Sequence, residues 1–531
     1  MSIAIAPVGG GLPAIVAGIT DAELDTIRSL FAVWDAKRQR NRLRSVYFDG
    51  KMPLKPTGNI PAEAMRRISA VLDWPEKAVT TLAERSIFEG FVAPGAADDA
   101  FDLGATLDAN RFDLELPQGI TSAYKHSCSF ITTALGDTQA GEPEVVIMAR
   151  SAEWSSALWD KRRRAVSAAL AITSTDSTTG VPTSMDVYLP DAVLSLTRRP
   201  SGAWAAVRRD NPLGEVLVEP LMYDPQLDRP FGRSRISRAV MNITDHALTT
   251  IVRGEIGADF YAVPRIIMTK LAEDAFGGRD KWSMAIDRFL GITKDEEGEG
   301  PDIQQFQQMT MQPIMDQYKM YATQFSGATG VPVSNLGIVT DNPPSAEALY
   351  ADDRRLVVTA RRQNRIMGSS LKRVAQKVIR LRDGGEVTDE MRKIDVSWAN
   401  PASISPGAAA DALVKLGAVF PWIGESEVGL EMAGFTSSEI TRLLADKRRS
   451  QSSANLAALL AGGATADGAQ PDPDGPEALK AKFDALGVAI RAGVDPADAA
   501  GRLGLTGIKF TGAVPVSLRM PNEDASGLED K

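Results

Sequence analysis

The sequence has one cysteine, Cys128, and two histidines, His126 and His246, among 531 residues. A single thiol excludes an internal disulfide framework and fits a reducing compartment. These three side chains leave almost nothing for a zinc site, which wants four clustered nitrogen or sulfur ligands, or three and a water. No apolar run approaches the roughly 18–20 residues that span a bilayer, so no membrane association is expected. The start, MSIAIAPVGGGLPAIVAG, lacks a basic n-region and does not read as a signal peptide. A phosphate-binding G-x-x-x-x-G-K-[ST], a G-x-S-x-G elbow and the kinase signatures are all missing. DPDGP at 472–476 starts like a calcium loop but lacks a third acidic ligand and the closing bidentate glutamate. The expectation is a soluble cytoplasmic protein that is not an enzyme and has no cofactor and no metal.

What is present is length and uneven charge. The chain is long enough for three or four structural units. A net charge of −9 argues against a tight general nucleic-acid binder, which shows a basic excess. It leaves open a surface that nucleic acid passes without sticking.

Thr20 and Glu23 form a capping-box pattern before a helix, DAELDTIRSLFAVWDAKRQRNRL, whose basic end suits the dipole. YFDGKMPL reads as a turn. Pro61 and Pro75 open two more helices, PAEAMRRISAVLDW and PEKAVTTLAERSIFEGF. From about Ala123 the period shortens, and SFITTAL, EPEVVIMARS, SMDVYLPDAVLSLTR and AWAAVRRD read as strands and hairpins. SALWDKRRRAVSAALAI, between them, reads as a helix. Lys125-His126 reads as a strand edge, with a nucleophilic pairing of His126 and Cys128 as the sharper alternative. Residues 1–230 are expected to form one mixed α/β domain.

A long helix then spans 231–264, with Ile236, Val240, Ile243, Ala247 and Ile251 on one apolar stripe. Asp245-His246 is the best acid–base pair by composition, but helical neighbours point about 100° apart and cannot face each other. Residues 265–310 form a compact insertion that carries Lys281, Lys294 and the acidic Asp295, Glu296 and Glu297. The acidic run reads either as a solvated loop or as a docking surface. A second helix at 311–330 stops at glycine.

The loop 331–345 contains Val333, Ser334, Asn335, Thr340, Asp341 and Asn342, stiffened by Pro332, Pro343 and Pro344. After it, 346–383 reads as one helix roughly 55 Å long, far beyond the usual three turns. Between Arg354 and Arg382 it carries ten Lys or Arg and no Asp or Glu. Arg354, Arg355, Arg361, Arg362 and Arg365 crowd its first half. So many like charges repel one another, and they call for acidic partners on neighbouring subunits or for nearby phosphate. Gly368-Ser369-Ser370 is the expected kink. Short helices follow over 401–450, then a Gly/Ala/Pro linker at 461–476 and a C-terminal region at 477–531 with an acidic, disordered tail.

The stretches RLRSVYFDGKMPL, LDWPEKAVTTLAERSIFEGF, WDKRRRAVSAALAI, YLPDAVLSLTR, PFGRSRIS and TGVPVSNLGIVTDNPPSAEALYADDRRL, in this order and spacing, resemble the Gp6-like portal proteins of tailed actinobacterial bacteriophages. The resemblance implies an α+β, mainly helical fold. It implies a β-containing wing at 1–230, stem helices at 231–264 and 311–330, a small clip at 265–310 and a tunnel loop at 331–345. The long helix of the wing would be 346–383 and the crown 384–460. It also implies a homo-oligomeric ring, typically of twelve subunits, at a capsid vertex of the virion. Double-stranded DNA is passed through such a ring non-specifically. The implied partners are the major capsid protein, the terminase large subunit and the head–tail adaptor. The clip residues Lys281, Lys294, Asp295, Glu296 and Glu297 would dock terminase or adaptor, the stem stripe would pack between subunits, and residues 333–342 would reach the DNA.

Three other readings compete, one of them a helical scaffold for host DNA, which would bind tightly as a monomer with a steep salt dependence. Another virion connector would be far shorter. A DNA-processing enzyme of the packaging apparatus would need a carboxylate cluster or a Ser/His/Asp set, and the sequence shows neither.

Overall fold

A computed structural model describes residues 16–53, 70–93, 99–262, 266–269, 302–305, 310–338, 346–402, 406–435, 437–462, 482–483, 486 and 495–505. The chain divides into two compact units, Met1–Ile404 and Ser405–Lys531.

The first unit opens with α1 (Asp21–Phe48) and the expected capping box. Thr20 Oγ1 accepts from the Glu23 N–H at 3.3 Å, and the Glu23 carboxylate accepts from the Thr20 N–H at 2.8 Å. The helix runs on through Tyr47 and Phe48, so the turn shrinks to Asp49-Gly50 and the last helical turn carries no basic residue. Ile27, Leu30, Phe31 and Trp34 press one face of α1 onto a sheet, against Leu170, Met185, Val187, Leu194 and Leu196. That sheet is an antiparallel meander of Ser155–Asp160 (β5), Ala165–Thr175 (β6), Pro182–Tyr188 (β7), Ala192–Arg198 (β8) and Trp204–Asp210 (β9). Val16–Ala17 (β1) joins β9 in parallel at the far edge.

The expected helix SALWDKRRRAVSAALAI is instead the β5–β6 hairpin. Asp160 Oδ1 accepts from the N–H groups of Arg162 and Arg163 at 2.8 and 3.0 Å, and Arg164 takes φ 53°. This turns the four basic residues into a loop. The alanine-rich half has helix propensity, but burial of Ala168, Leu170 and Ile172 under α1 outweighs it.

The helix beginning at Pro75 also ends sooner than its sequence suggests. α2 is Trp74–Ala83, and by Phe88 the chain has become β2 (Phe88–Val92), antiparallel to β13 (Asp395–Trp398). Phe88 stacks edge-on against Phe112 and Trp398 at 5.7 and 6.2 Å, contacts set by distant sequence. Next come α3 (Leu103–Ala109) and α4 (Phe112–His126). Lys125 and His126 therefore close a helix rather than edge a strand. β3 (Cys128–Leu135) lies between β4 (Val145–Ser151) and β10 (Val218–Met222). α4 and the long helix α7 (Ala346–Asp383) bury their apolar faces on this sheet. Leu116, Ile120, Ile131, Leu221, Met367, Leu371 and Val378 form that core.

α5 (Arg238–Ala262) and α6 (Gln312–Thr329) pack together, with β11 (Ile266–Thr269) and β12 (Asp302–Gln305) paired antiparallel in the connection between them. The stripe assigned to contact between subunits is largely used inside one chain. Val240 and Ala247 are buried with Trp74, Ala322 and Phe325, and Ile236 lies in the α4–α7 core. Ile243 and Ile251 are half-buried. Lys281, Lys294, Asp295, Glu296 and Glu297 lie outside the described residues.

α7 runs without interruption through Gly368-Ser369-Ser370. Gly368 permits a close approach: a Cβ there would stand 3.3 Å from Trp398 Nε1 and 3.6 Å from Val396 Cβ. β13 thus ties the residues just after α7 to the first unit rather than to the helices beyond 405. The second unit holds α8 (Pro406–Val419), α9 (Glu427–Met432), α10 (Ser437–Gly462) and α11 (Pro496–Arg502). The expected linker at 461–476 and tail fall almost wholly outside the described residues. No helix among the described residues is long and apolar enough to cross a membrane.

Candidate functional site

At 100° per residue, eight of the ten cations between Arg354 and Arg382 fall into two stripes. Arg354, Arg361, Arg365 and Lys372 share one edge. Arg355, Arg362, Arg373 and Arg380 share another, about a quarter turn away.

The second stripe is used within the chain. Arg355 Nη1 donates to the Gly327 carbonyl at 3.0 Å, near the C-terminal end of α6. Arg362 pairs with Asp224 at 3.1 Å, Arg373 with Glu219 at 2.8 Å, and Arg380 with Glu215. Lys377 lies buried between these, donating to Glu219 Oε1 at 2.7 Å and to the Val216 carbonyl at 2.6 Å. All three carboxylates come from β10 and its flanks. Gln363 adds a clamp: its Oε1 accepts from the Asp224 N–H at 2.9 Å, and its Nε2 donates to the Met222 carbonyl at 3.3 Å.

The demand for outside acids or phosphate therefore applies to the first stripe alone. Arg354, Arg361 and Arg365 are exposed and Lys372 is half-exposed, and none meets a carboxylate among the described residues. Arg361 touches the Asn400 amide oxygen at 3.4 Å. Lys372, five helical turns beyond Arg354, was legible in the 3.6-residue period and completes the line.

The loop before α7 differs from expectation in its first half. Val333–Leu336 forms a 3-10 turn, with Leu336 and Val331 buried and Val333 packed against Trp74 and its neighbours. Only Ser334 and Asn335 face out. Thr340, Asp341 and Asn342 lie outside the described residues. Gly330, at φ 77° and ψ 8°, ends α6 by donating to the Ser326 carbonyl at 2.7 Å and turns the chain into this docked segment.

The segment is anchored by Arg235, buried and without a carboxylate among the described residues. Its Nε donates to the Ala78 carbonyl in α2, its Nη2 to the Thr329 carbonyl at 2.9 Å, and its Nη1 to the Tyr223 hydroxyl at 3.2 Å. Thr329 is the last residue of α6, so the guanidinium also sits at the negative end of that helix dipole. Arg235 was invisible as a hub in the sequence, where it is one arginine among many.

Asp245 and His246 have separate neighbours, as their spacing requires. The Tyr47 hydroxyl donates to Asp245 at 3.0 Å, and the His246 ring stacks on Tyr321 with centroids 5.7 Å apart. His126 and Cys128 do not form a nucleophilic pair. Burial, with Lys125 and Arg44 nearby, holds the His126 pKa down at about 3, while burial pushes the Cys128 thiol up to about 12. A neutral imidazole and a protonated thiol lack the thiolate–imidazolium character of a nucleophilic pair. No group of His, Cys, Asp or Glu among the described residues could hold a metal ion.

His126 makes the fold acid-sensitive. Unfolded, the imidazole binds a proton below its ordinary value near 6.5; folded, it stays neutral to about 3, so stability falls as pH drops through this window. From pH 7 to pH 5 this one group removes about 2 kcal/mol. Urea titrations at the two pH values, compared with His126→Gln, will show the difference shrink in the variant.

Residues 27–453 match the phage portal protein family described as SPP1 Gp6-like. The portal protein of Mycobacterium phage D29 is 27% identical over 394 residues, 73% of this chain and 81% of the relative. That of Mycobacterium phage L5 is 28% identical over 377 residues, 70% of this chain and 77% of the relative. Among solved structures, the neck of a native GTA particle computed with C12 symmetry aligns at a TM-score of 0.37 and 14% identity, covering 76% of this chain and 98% of that one. The neck of an empty GTA particle computed with C6 symmetry aligns at 0.36 and 15%, covering 73% and 94%. With the family match running from within α1 to within α10, the chain belongs to the SPP1 Gp6-like phage portal proteins.

Proposed function

We propose that copies of this chain close into a ring, twelve subunits in the packaged particle, at one capsid vertex of a tailed phage. The ring is the conduit through which the terminase large subunit drives double-stranded DNA and through which the genome later leaves. The major capsid protein holds it from outside, and a head–tail adaptor binds it after filling. The 265–310 segment, with Lys281, Lys294, Asp295, Glu296 and Glu297, is the docking surface for terminase or adaptor.

The observation that carries this reading is the first stripe of α7. Arg354, Arg361, Arg365 and Lys372 span about 27 Å of helix and take no carboxylate among the described residues. Such a row is completed by another molecule, either the acidic surface of the next copy or the phosphates of the duplex. A chain with a net charge of −9 that carries such a row of cations guides a polyanion without binding it tightly.

Arg361→Glu/Arg365→Glu will leave the stability of the isolated chain within about 0.5 kcal/mol, because both residues are exposed. Ring assembly or genome retention will fail. Negative-stain images and the DNA content of purified particles measure both. Particles that assemble and hold a full genome with this variant would remove the stripe from the mechanism. A lone compact particle under every condition would end the ring reading.

A further inference from the structure

Between α1 and residues 228–233 lies a cleft of about 460 Å³ that the conduit reading does not use. Its charge is set by one face of α1. Lys37, Arg40 and Arg44 stand at i, i+3 and i+7 and all line the cleft, so the three cations point the same way. None of them meets a carboxylate among the described residues. Arg44 spends one nitrogen, Nη1, on the His126 carbonyl at 2.6 Å and on Asn41 Oδ1 at 3.3 Å. Its Nε is buried and has no partner among the described residues. Burial, with repulsion from Arg40 one turn away, brings the Arg44 pKa down to about 10.

The acids nearby are already engaged. Asp228 pairs with Arg229 at 3.4 Å, and Asp224 with Arg233 at 2.7 Å. Ser155, which also lines the cleft, is only 6% exposed, and its hydroxyl has no partner among the described residues. A buried hydroxyl and a buried guanidinium N–H without acceptors cost about 1–3 kcal/mol each, an arrangement more readily kept where something accepts from them. Phe231 and Phe130, their ring centroids 5.9 Å apart, supply apolar lining.

We propose that this cleft binds an oxyanion of the phosphate class. Lys37 and Arg40 meet its charge at the rim, while Arg44 Nε and Ser155 Oγ donate hydrogen bonds further in. The phosphate can be free in solution or part of a nucleic-acid backbone; the chemistry of recognition is the same.

Calorimetric titration of the purified full chain with inorganic phosphate at low salt tests this. Saturable binding is expected, weakened about tenfold or more in Lys37→Ala/Arg40→Ala. Ser155→Ala should weaken it several-fold. Lys37 and Arg40 are exposed, so circular dichroism and melting of the double variant should match wild type, separating lost binding from lost fold. Adding a short DNA duplex distinguishes the sources: displacement of phosphate assigns the cleft to a DNA backbone, and undisturbed phosphate binding assigns it to the free anion. No binding at tens of millimolar phosphate, or equal binding by wild type and the double variant, would overturn the proposal.

Discussion

Glu219→Ala will lower the stability of the first unit by about 3–5 kcal/mol, the range seen when one member of a buried ion pair is removed. Glu219 is 7% exposed and accepts from Arg373 at 2.8 Å and Lys377 at 2.7 Å. Arg373 can turn to solvent, because it is partly exposed. Lys377, 4% exposed, cannot: the variant leaves its ammonium buried with the Val216 carbonyl as its remaining acceptor. The expected loss is thus mostly the cost of an uncompensated charge. Glu219→Leu/Lys377→Met removes both charges and should recover most of the loss, because apolar groups of similar size can replace a buried pair at little cost. Guanidinium denaturation of the full chain, wild type against single and double variants, measures the cycle. A single variant within 1 kcal/mol of wild type, on the scale of an exposed pair, would mean that Lys377 reaches water.

Arg235→Met will cost about 2–4 kcal/mol and will act locally on the segment between α6 and α7. Methionine fills the volume but leaves the Thr329 carbonyl without its donor and removes the ties to Ala78 and Tyr223. These three acceptors belong to α2, to the end of α6 and to the stretch after β10. Their loss should free Val333–Leu336 before the rest of the unit opens. Hydrogen exchange will show this as faster exchange over 329–338, with β6 and β7 protected as in wild type. Arg235→Lys should recover only part of the loss, because an ammonium lacks the planar fork that reaches several carbonyls at once. Uniform loss of protection across the unit would show that Arg235 supports the whole core rather than this junction.

Much of the first unit was readable from residues alone. The Thr20–Glu23 cap, the strands of SFITTAL and SMDVYLPDAVLSLTR, and the extent of α7 from Ala346 to Asp383 match the pattern of their side chains. These features rest on interactions within a few residues: caps, turns and apolar period. Expectations failed where long-range packing opposed local propensity. AVSAALAI favours a helix by composition, yet it is β6, because α1 covers it and a turn at Asp160 reverses the chain. Phe88 belongs to a strand because its partner, β13, lies far along the sequence.

The candidate site divides in the same way. Ten cations without an acid over 354–382, the absence of nucleotide and metal motifs, and the order of helix, insertion, helix and loop are properties of the sequence by itself. They are countable along the chain without any structure. Only the tertiary structure decided which cations are free, because Glu215, Glu219 and Asp224 reach α7 from a strand more than a hundred residues earlier. It also decided that Val240 and Ala247 face their own chain and that Arg235 joins three elements. Charge and period are local and can be counted along a chain. Neutralisation and burial depend on which surfaces meet, and that is set by packing in three dimensions.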